Sequence, residues 1–545
     1  WELATLITIM LLGHWMEMRA VSGAQSALKE LSKLLPDQAE VLRGDRTQII
    51  PLSEVRSGDL VLVKPGGKIP TDGVVIEGIS DVNESMVTGE SKPVPKNQSS
   101  EVIAGTINGD GTLKIQVTNI GEKTFLAGVM RLVAEAQSSK SRLQMLSDRA
   151  AYYLTIVAIA AGGITLIIWL AVADAAFAVE RMVAVLVIAC PHALGLAIPL
   201  IASISTTKAA QNGFLVKRRL ALEAARNIDV VLFDKTGTLT KGEFGVDTIV
   251  PVGMENEEKV LQYAASVDSQ SEHPVARAIV AEAKKRNLKI PPVKNFQRIA
   301  GKGARATIEE SEIFVGSQTL LSDLKLTLEL QAQTKVDQLS AQGKTIILVV
   351  VGNSLLGAIA LADIIREESR EAIKSLSDFG IKTAMITGDT EDVAKWVAHE
   401  LGIDEYFARV LPEQKSEKVK LLQAKGQKVA MVGDGVNDAP ALTQADLGIA
   451  IGAGTNVAIE SAGIILVKDD PRDIPKIIKL SRLTYTKMIQ NLFWATGYNV
   501  VAIPLAAGVL AFKGIFLQPA LAAVFMSLST IIVAINAMIL RRKSL

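Results

Sequence analysis

The chain of 545 residues is 49% hydrophobic and only 4% aromatic, with a mean hydropathy of +0.30. A chain this long and this apolar does not fit a single soluble domain. Its formal net charge of +1 shows no basic or acidic excess and argues against a nucleic-acid partner. The single cysteine excludes an internal disulfide framework.

Five apolar stretches have roughly the 20 residues that a membrane span requires. They cover residues 1–18, 151–172, 182–205, 489–511 and 516–540. Basic residues flank these stretches on one side, namely Arg19, Arg142, Arg149, Lys208, Arg482, Lys487 and Arg541-Arg542-Lys543. The positive-inside rule then places both large polar insertions and the C-terminus in the cytoplasm. The sequence predicts a multi-pass protein of the cell membrane in contact with lipid, and the alternative is that some stretches are buried core helices.

The first polar insertion, residues 20–148, alternates Val- and Ile-rich segments with Gly-Asp turns. This pattern predicts a β-rich domain, with strands at residues 59–63, 73–76 and 111–117. The insertion also contains Thr88-Gly89-Glu90. Taken alone, this tripeptide is typical of a solvated turn.

The third apolar stretch contains Cys190-Pro191-His192. Pro191 lacks an N–H group and is expected to free the carbonyl of Val187 and to open the helix. Broken helices at membrane depth build ion sites in transporters. A thiolate and an imidazole beside the break favour soft or late transition metals over sodium, potassium or calcium. The alternative is a cysteine that packs as a small hydrophobic residue.

The second polar insertion begins with an apolar run at residues 229–233, which predicts a buried strand. It is followed by Asp234-Lys235-Thr236-Gly237-Thr238-Leu239-Thr240. An aspartate at the carboxyl end of such a strand lies where open α/β sheets bind ligands. The following hydroxyl and backbone N–H groups suit a phosphate. The string indicates a carboxylate nucleophile that accepts a phosphoryl group, and the alternative is an ordinary turn.

Two further strand ends carry polar groups of the same kind. Thr387-Gly388-Asp389 follows the strand-like residues 382–386, and Asp434 follows residues 428–432, with Asn437 and Asp438 just beyond. Magnesium prefers hard oxygen ligands of this type. Lys415 lies between these two segments, where a solvated surface lysine is the alternative interpretation.

A separate domain is predicted between the two parts of this sheet, which we expect to resume near Leu355. The inserted segment contains Ser271-Glu272-His273-Pro274 and later Gly301-Lys302-Gly303. Glycine lets the backbone approach a ligand closely, and an imidazole can stack on adenine. The Gly-Lys-Gly string alone is weak evidence.

These strings together resemble the heavy-metal-transporting P-type ATPases, in the Cys-Pro-His subclass of copper pumps. The resemblance implies that Asp234 is phosphorylated, with Lys235, Thr236, Gly388 and Asp389 in the same site. It also implies that Asp234, Thr236 and Asp434 bind magnesium, that Thr387 and Lys415 hold the phosphoryl group, and that Asn437 and Asp438 complete the site. Thr88, Gly89 and Glu90 would form the actuator loop, in which Glu90 directs the hydrolytic water.

The resemblance extends to ligands. Glu272, His273, Gly301 and Gly303 would contact ATP, although Gly316-Ser317 departs from the Gly-Asn that is common in copper pumps. Asn499, Met526 and Ser529 would join Cys190 and His192 around copper or silver, with helix–helix hydrogen bonding as the alternative. Glu17 and Asp148 match acidic positions at a cytoplasmic metal entrance, or else pair with the neighbouring Arg19 and Arg149. A metal donor is a further expected partner.

The implied fold class is a multi-domain membrane protein. An α-helical transmembrane bundle (residues 1–19, 149–205 and 488–545) would carry a β-rich actuator domain (20–148). It would also carry a Rossmann-like, haloacid-dehalogenase-type α/β phosphorylation domain (206–244 and 352–487) with an inserted α+β nucleotide-binding domain (245–351).

ATP-driven copper export is therefore the expected function. A pump for zinc, cadmium or cobalt is the nearest alternative, and a soluble haloacid-dehalogenase-type phosphatase is the alternative from another class. Heavy-metal pumps usually have eight spans, three of them before the one that ends near Arg19. Because the chain starts with Trp1 inside an apolar segment, we expect it to be part of a longer protein.

Overall fold

The computed structural model describes residues 35–43, 46–84, 93–253, 256–299, 302–308, 310–317, 330–434, 437–452 and 460–545, together with residues 4, 7, 8, 11, 12, 14, 15 and 18. By internal contacts the chain divides into two compact units. One comprises Trp1–Asn227, Ala462–Lys468 and Asp473–Leu545, and the other comprises Ile228–Ser461 and Asp469–Arg472.

The N-terminal part of the first unit is β-rich, as predicted. Its strands are β1 (Gln38–Arg43), β2 (Arg46–Pro51), β3 (Leu60–Val63), β4 (Asp72–Glu77), β5 (Ser80–Asn83), β6 (Val94–Lys96), β7 (Glu101–Val102), β8 (Ile107–Asn108) and β9 (Leu113–Asn119). Six of them form a sheet in the order β2-β1-β3-β9-β4-β7, and β6-β5-β8 form a second one. Alternate Val and Ile side chains such as Val61, Val75 and Ile115 fill the core, because successive strand residues face opposite sides.

The next elements are helical. They are α1 (Phe125–Ser138), α2 (Arg142–Val172), α3 (Ala175–Ile188) and α4 (His192–Gln211), followed by β10 (Phe214–Val216) and α5 (Arg219–Ala225). The side chains of Thr124, Ser141 and Asp174 accept hydrogen bonds from backbone N–H groups in the first turns of α1, α2 and α3. The loop predicted at residues 173–181 is shorter than expected, because the Asp174 cap starts α3 at Ala175.

The second unit begins with β11 (Val230–Asp234) and β12 (Thr240–Pro251), then α6 (Glu257–Asp268), α7 (Pro274–Lys285), β13 (Lys294–Ile299), β14 (Gly303–Ile308), β15 (Ser311–Gly316), α8 (Leu330–Ala341), β16 (Thr345–Val351) and β17 (Ser354–Ile365). An antiparallel sheet has the order β12-β17-β16-β15-β14-β13. The expectation that the first sheet resumes near Leu355 is wrong. β17 instead pairs with β12 and β16, where its apolar run is covered by α6.

The parallel sheet resumes only after α9 (Glu367–Asp378). Its remaining elements are β18 (Lys382–Ile386), α10 (Glu391–Leu401), β19 (Glu405–Phe407), α11 (Lys415–Ala424), β20 (Val429–Gly433), α12 (Ala439–Gln444) and β21 (Leu447–Ile451). Five parallel strands follow one another in the order β21-β20-β11-β18-β19. The central strands are buried along their length, which matches their continuous apolar sequences.

The first unit closes with β22 (Ile464–Leu466), which pairs antiparallel with β10, and with α13 (Asp473–Thr496), α14 (Asn499–Ala507) and α15 (Pro519–Arg542). Among the described residues, three segments are long and apolar enough to cross a membrane: Arg142–Val172, Ala175–Gln211 and Pro519–Arg542. The span predicted at 489–511 is divided between α13 and α14. The backbone tightens there, and a Cβ atom at Gly497 would lie 2.7 Å from the carbonyl oxygen of Phe493. The span predicted at 1–18 falls largely outside the described residues.

Candidate functional sites

The parallel sheet brings three polar strand ends together. β11 lies between β18 and β20, with Asp234 opposite Ile386 and Phe233 opposite Val432. Asp234 therefore ends its strand beside Thr387 and Asp434, which directly follow the two neighbouring strands. This arrangement is the one expected at the ligand-binding edge of an open α/β sheet.

Lys415 is buried at this edge and bridges two carboxylates. Its Nζ atom donates hydrogen bonds to Asp234 Oδ1 at 2.8 Å and to Asp438 Oδ1 at 2.6 Å. Asp438 is fully buried and Asp234 is 8% exposed. The solvated surface lysine considered for Lys415 is therefore not what the structure shows.

Burial and the neighbouring carboxylates Asp438 and Asp434 raise the pKa of Asp234 to about 7, while Lys415 opposes them. The φ angle of Gly237 is +75°, and a Cβ atom there would lie 3.2 Å from Asp434 Oδ2, so the loop after β11 runs close to this carboxylate. Two carboxylates thus contact the Lys415 amine, and the carboxylate of Asp434 lies near Asp234. Such an excess of hard anionic oxygen fits a magnesium ion. Thr236 and Asn437 are exposed residues of the two adjoining loops.

Lys235 points away from Lys415 into a second acidic cluster. Its Nζ lies 2.5 Å from Asp389 Oδ2 and 3.6 Å from Asp363 Oδ2. Thr387 Oγ1 donates to Asp389 at 2.7 Å, and Gly388 separates the two. These bonds connect the loop after β11 to the loop after β18.

Sequence reasoning missed Asp363 and Arg366, which hold the same loop from the other sheet. Thr240 Oγ1 donates to Asp363 Oδ2 at 2.5 Å, and Arg366 donates to the carbonyl oxygens of Thr240 and Gly237 at 3.1 and 3.3 Å. The available signal in the sequence was the pair Asp363 and Arg366, an acidic and a basic residue three positions apart at the end of a long apolar run.

A separate cavity of about 260 Å³ lies within the second unit. Its lining includes His273, Gly303 and Ser317, whereas Glu272 is exposed and is not part of the lining. His273 Nδ1 accepts a hydrogen bond from Val275 N at 3.3 Å and caps α7. At Gly303 a Cβ atom would lie 2.1 Å from the carbonyl oxygen of Val315, so strand packing already requires glycine there.

Asp268 also lines this cavity, and sequence reasoning missed it. The residue is 7% exposed at the end of α6, and burial raises its pKa to about 7. A carboxyl group that is partly protonated near neutral pH can donate a hydrogen bond as well as accept one. The available signal in the sequence was an acidic residue four positions before Glu272.

The membrane helices contain the predicted break. α3 ends at Ile188 and α4 begins at His192, with Cys190 half-buried between them. The carbonyl of Val187 is not freed as expected, because the N–H group of Cys190 donates to it at 3.3 Å. The last hydrogen bond before Pro191 therefore spans three residues instead of four. The Val187 carbonyl thus accepts from Cys190 and does not need the N–H group that Pro191 lacks. The interpretation of the His192 side chain as a ligand lies outside what the structure describes.

A polar group at the start of α14 contacts this break, and other predicted residues lie on α14 and α15. The Tyr498 hydroxyl donates to the carbonyl oxygen of Ile188 at 3.4 Å, and Ser529 donates to the carbonyl oxygen of Trp494 at 3.1 Å. Met526 is 6% exposed. Asn499 is 3% exposed, and neither its amide nitrogen nor its amide oxygen has a hydrogen-bond partner among the described residues. Buried amide groups in a membrane interior usually have a polar partner, because leaving them unpaired is costly.

The remaining predicted residues divide into two groups. Asp148 is exposed and its Oδ2 accepts a hydrogen bond from Lys140 at 2.8 Å, so it forms an interfacial ion pair, with a different base from the Arg149 considered above. Five other assigned residues lie outside the described residues, namely Thr88, Gly89, Glu90, Gly301 and Glu17. No group of three His, Cys, Asp or Glu side chains suited to a metal occurs in the described part of the chain.

Comparison with known proteins relates both sites to one class of pump. The family model of the P-type ATPase actuator domain matches residues 33–134, and the haloacid dehalogenase-like hydrolase model matches residues 228–446. The copper-exporting P-type ATPase B of Archaeoglobus fulgidus is 55% identical over 542 residues, which is 99% of this chain and 78% of that protein. The copper-exporting P-type ATPase B of Enterococcus hirae is 46% identical over 99% of this chain and 72% of that protein. The crystal structure of a zinc-transporting PIB-type ATPase in the E2.Pi state matches with a TM-score of 0.65 and 31% identity over 99% of this chain and 87% of that one.

Proposed function

We propose that this chain, which belongs to the heavy-metal-transporting P-type ATPases, uses ATP hydrolysis to export copper from the cytoplasm through an aspartyl-phosphate intermediate. The observation that carries the cargo assignment is the half-buried Cys190 at the break between α3 and α4, because a thiolate at membrane depth favours soft or late transition metals. The relatives at 46–55% identity that are named copper exporters support the same metal.

We assign phosphoryl acceptance to Asp234. The nucleophile must be ionised, and Lys415 opposes the burial that raises its pKa to about 7. The positive Nζ atom also lies where charge accumulates on a transferred phosphoryl group. Thr387 would bind the phosphoryl group from the neighbouring strand end, and Lys235 and Asp389 would fix the loop that carries Asp234.

Asp234, Asp434 and the loop at Thr236 would hold magnesium, with Asn437 and Asp438 alongside. The ion supplies charge neutralisation for the transferred phosphoryl group when it is bound. The carboxylates of Asp434 and Asp438 repel that of Asp234 and contribute to its raised pKa, so a bound cation would stabilise all three.

ATP would occupy the cavity lined by His273 and Asp268. In that assignment His273 stacks on the base, Asp268 bonds its edge, and Gly301 and Gly303 let the backbone approach it. Arg298 and Lys302, which line the same cavity, would face the phosphates. Glu90 of the Thr88-Gly89-Glu90 loop would direct water onto the phosphorylated Asp234.

Copper or silver would bind to Cys190 and His192, with Met526, Asn499 and Ser529 completing or supporting the site. Thiolate and thioether ligands favour Cu(I) and Ag(I), whereas imidazole also suits Cu(II). Glu17 and Asp148 would attract the ion at the cytoplasmic side, where a metal donor would deliver it. Lipid would surround the exposed apolar side chains of α2, such as Ile164 and Ile167.

Zinc export is the second candidate, because the structurally similar pump at 31% identity is described as zinc-transporting. The two are separated by metal-dependent ATPase activity of the full-length protein with Cu(I), Ag(I), Cu(II) or Zn(II), in unsubstituted, Cys190→Ser and His192→Ala forms. Thr155→Val on α2 is the control, since that hydroxyl bonds only its own helix at the Ala151 carbonyl. Activation by copper or silver that is lost in the first two variants is expected. Activation by zinc alone would reject copper as cargo.

A further inference from the structure

Arg181 is the largest fully buried side chain of the described residues, although it lies in the membrane helix α3. It is 1% exposed. A charged group inside a membrane protein is costly and usually marks a functional position. Neither ATP chemistry nor the metal ligands proposed above use Arg181, and the inference that follows rests on the proposed transport function.

The guanidinium group of Arg181 is held from several directions. Its Nη1 donates to the carbonyl oxygen of Leu517 at 2.8 Å, and its Nη2 forms a short ion pair with Glu180. Its central carbon lies 5.2 Å from the ring centroid of Phe177 and 5.6 Å from that of Phe516. Charge-assisted hydrogen bonds and two aromatic faces together stabilise a desolvated cation.

The aromatic rings extend this contact to two further helices. Phe177 makes edge contacts with Trp169 at 4.8 Å and with Phe516 at 5.6 Å between centroids. Trp169 Nε1 donates to the carbonyl oxygen of Ala507 at 2.9 Å, at the end of α14. We call these residues the outer clamp: Trp169, Phe177, Glu180, Arg181, Phe516 and Leu517. The clamp joins the ends of α2 and α3 to the segment between α14 and α15.

The outer clamp lies on the same helix face as the approach to the metal site. Ala184, Val185 and Ile188 follow Arg181 at intervals of three, four and seven residues, so they continue one face of α3. All three are fully buried against α14 and the start of α15. From the rise per residue of an α-helix, Ile188 lies about 10 Å further along the helix axis than Arg181. Its carbonyl oxygen accepts a hydrogen bond from the hydroxyl of Tyr498, the residue before Asn499. The packed face therefore runs from the helix break to the clamp and carries no other charge.

We propose that Arg181 is a positioning residue that closes the extracytoplasmic end of the metal pathway. Its bonds hold the segment between α14 and α15 against α3, and these bonds must break before an ion leaves Cys190 outward. The positive charge that remains at the mouth opposes the return of a cation, as a fixed arginine does in other selective pores. Arg181 thus contributes to one-way transport without touching the metal.

Phosphorylation of Asp234 by inorganic phosphate tests this role, because that reaction reverses hydrolysis and requires an empty, outward-facing metal site. Phosphoenzyme formed from phosphate and magnesium is measured in proteoliposomes of the full-length protein while Ag(I) is raised on the extracytoplasmic side. Arg181→Met should lower the silver concentration for half-inhibition by about tenfold, since the variant removes the positive charge that opposes the return of a cation to the outward-facing site. Arg181→Lys keeps the charge and should restore most of the resistance. Lys513→Met is the matched control, because this exposed lysine lies in the same segment and only meets Phe512.

A second measurement distinguishes closure of the extracytoplasmic end by Arg181 from a general structural role of this residue. The cytoplasmic metal concentration that half-activates phosphorylation by ATP should stay within about twofold of the unsubstituted value, because Arg181 lies two helical turns from the site. Equal silver sensitivity in Arg181→Met and the unsubstituted protein would overturn the proposal, and so would equal shifts from both sides. If Arg181→Met does not fold, Glu180→Gln leaves the positive charge without its partner and should raise the silver concentration for half-inhibition by about threefold, the usual size for one exposed charge partner. Failure of the proposed transport function would appear differently, as a lack of metal-dependent phosphorylation in the unsubstituted protein.

Discussion

Replacement of Lys415 by methionine gives the sharpest test of the phosphorylation chemistry. The change keeps the length of the side chain and removes the charge that lies 2.8 Å from Asp234 and 2.6 Å from Asp438. Both partners are nearly or completely buried, so water cannot replace the amine. Three carboxylates would then share the site without a fixed cation.

The expected magnitude follows from this burial. At an effective dielectric constant of about 20, two unit charges 2.8 Å apart attract by roughly 6 kcal/mol, and breaking a buried pair costs about 3–5 kcal/mol after desolvation. The pKa of Asp234 is already raised to about 7 by burial and by neighbouring carboxylates. Loss of Lys415 should raise it further and reduce the ionised nucleophile at pH 7 by about 70- to 2,000-fold, since each tenfold corresponds to about 1.4 kcal/mol.

The assay is the rate of acid-stable phosphoenzyme formation from labelled ATP between pH 6 and pH 9, at fixed magnesium and metal. The unsubstituted protein should keep its activity to lower pH than Lys415→Met, because Lys415 opposes the burial and the neighbouring carboxylates that raise the pKa of Asp234. Lys415→Met should be slow at pH 7 and recover in part towards pH 9. Lys420→Met, on the exposed side of the same helix, is the control. A Lys415→Met enzyme with the unsubstituted rate and pH profile would refute the reasoning.

Three further predictions concern other parts of the chain. Asp268 has a folded pKa of about 7 and an ordinary value of 3.8, so the folded state binds the extra proton and stability should fall as pH rises from 4 to 7, by up to about 4 kcal/mol. Asp268→Asn should remove this loss of stability, which is measured by hydrogen exchange of α6 at pH 5 and pH 8. The same pH dependence in the variant and the unsubstituted protein would contradict the role of Asp268. Gly508→Ala should destabilise the outer clamp by about 1–3 kcal/mol in thermal unfolding, because φ is +87° and the added Cβ atom would lie 2.8 Å from the Trp169 ring. Gly514→Ala is the control for backbone strain alone, since its φ is +72° and its added Cβ atom would meet no atom within 4 Å. Asp234→Asn should abolish phosphoenzyme and Glu90→Gln should accumulate it, whereas rapid turnover in the second variant would reject the role of Glu90.

The strand ends of the phosphorylation site could be predicted because local patterns determine them. An apolar run of five residues followed by an acid predicts a buried parallel strand with a ligand-binding end, and residues 382–386 form the expected strand. The partner of Lys415 could not be predicted, since 181 residues separate it from Asp234 and no periodicity connects them. Asp363 and Arg366 were missed for the same reason, because their partners lie more than 120 residues away.

The membrane break shows the same division. Cys190-Pro191-His192 by itself predicts that the helix is interrupted, because proline lacks the N–H group that a continuous helix needs. The sequence also determines the class of chemistry, through an aspartate after a buried strand and soft ligands beside the break. Only the tertiary structure decides that the Asn499 amide is buried without a hydrogen-bond partner among the described residues and that Arg181 is buried against Leu517. Both depend on how distant helices pack, which residue type and spacing along the chain do not specify.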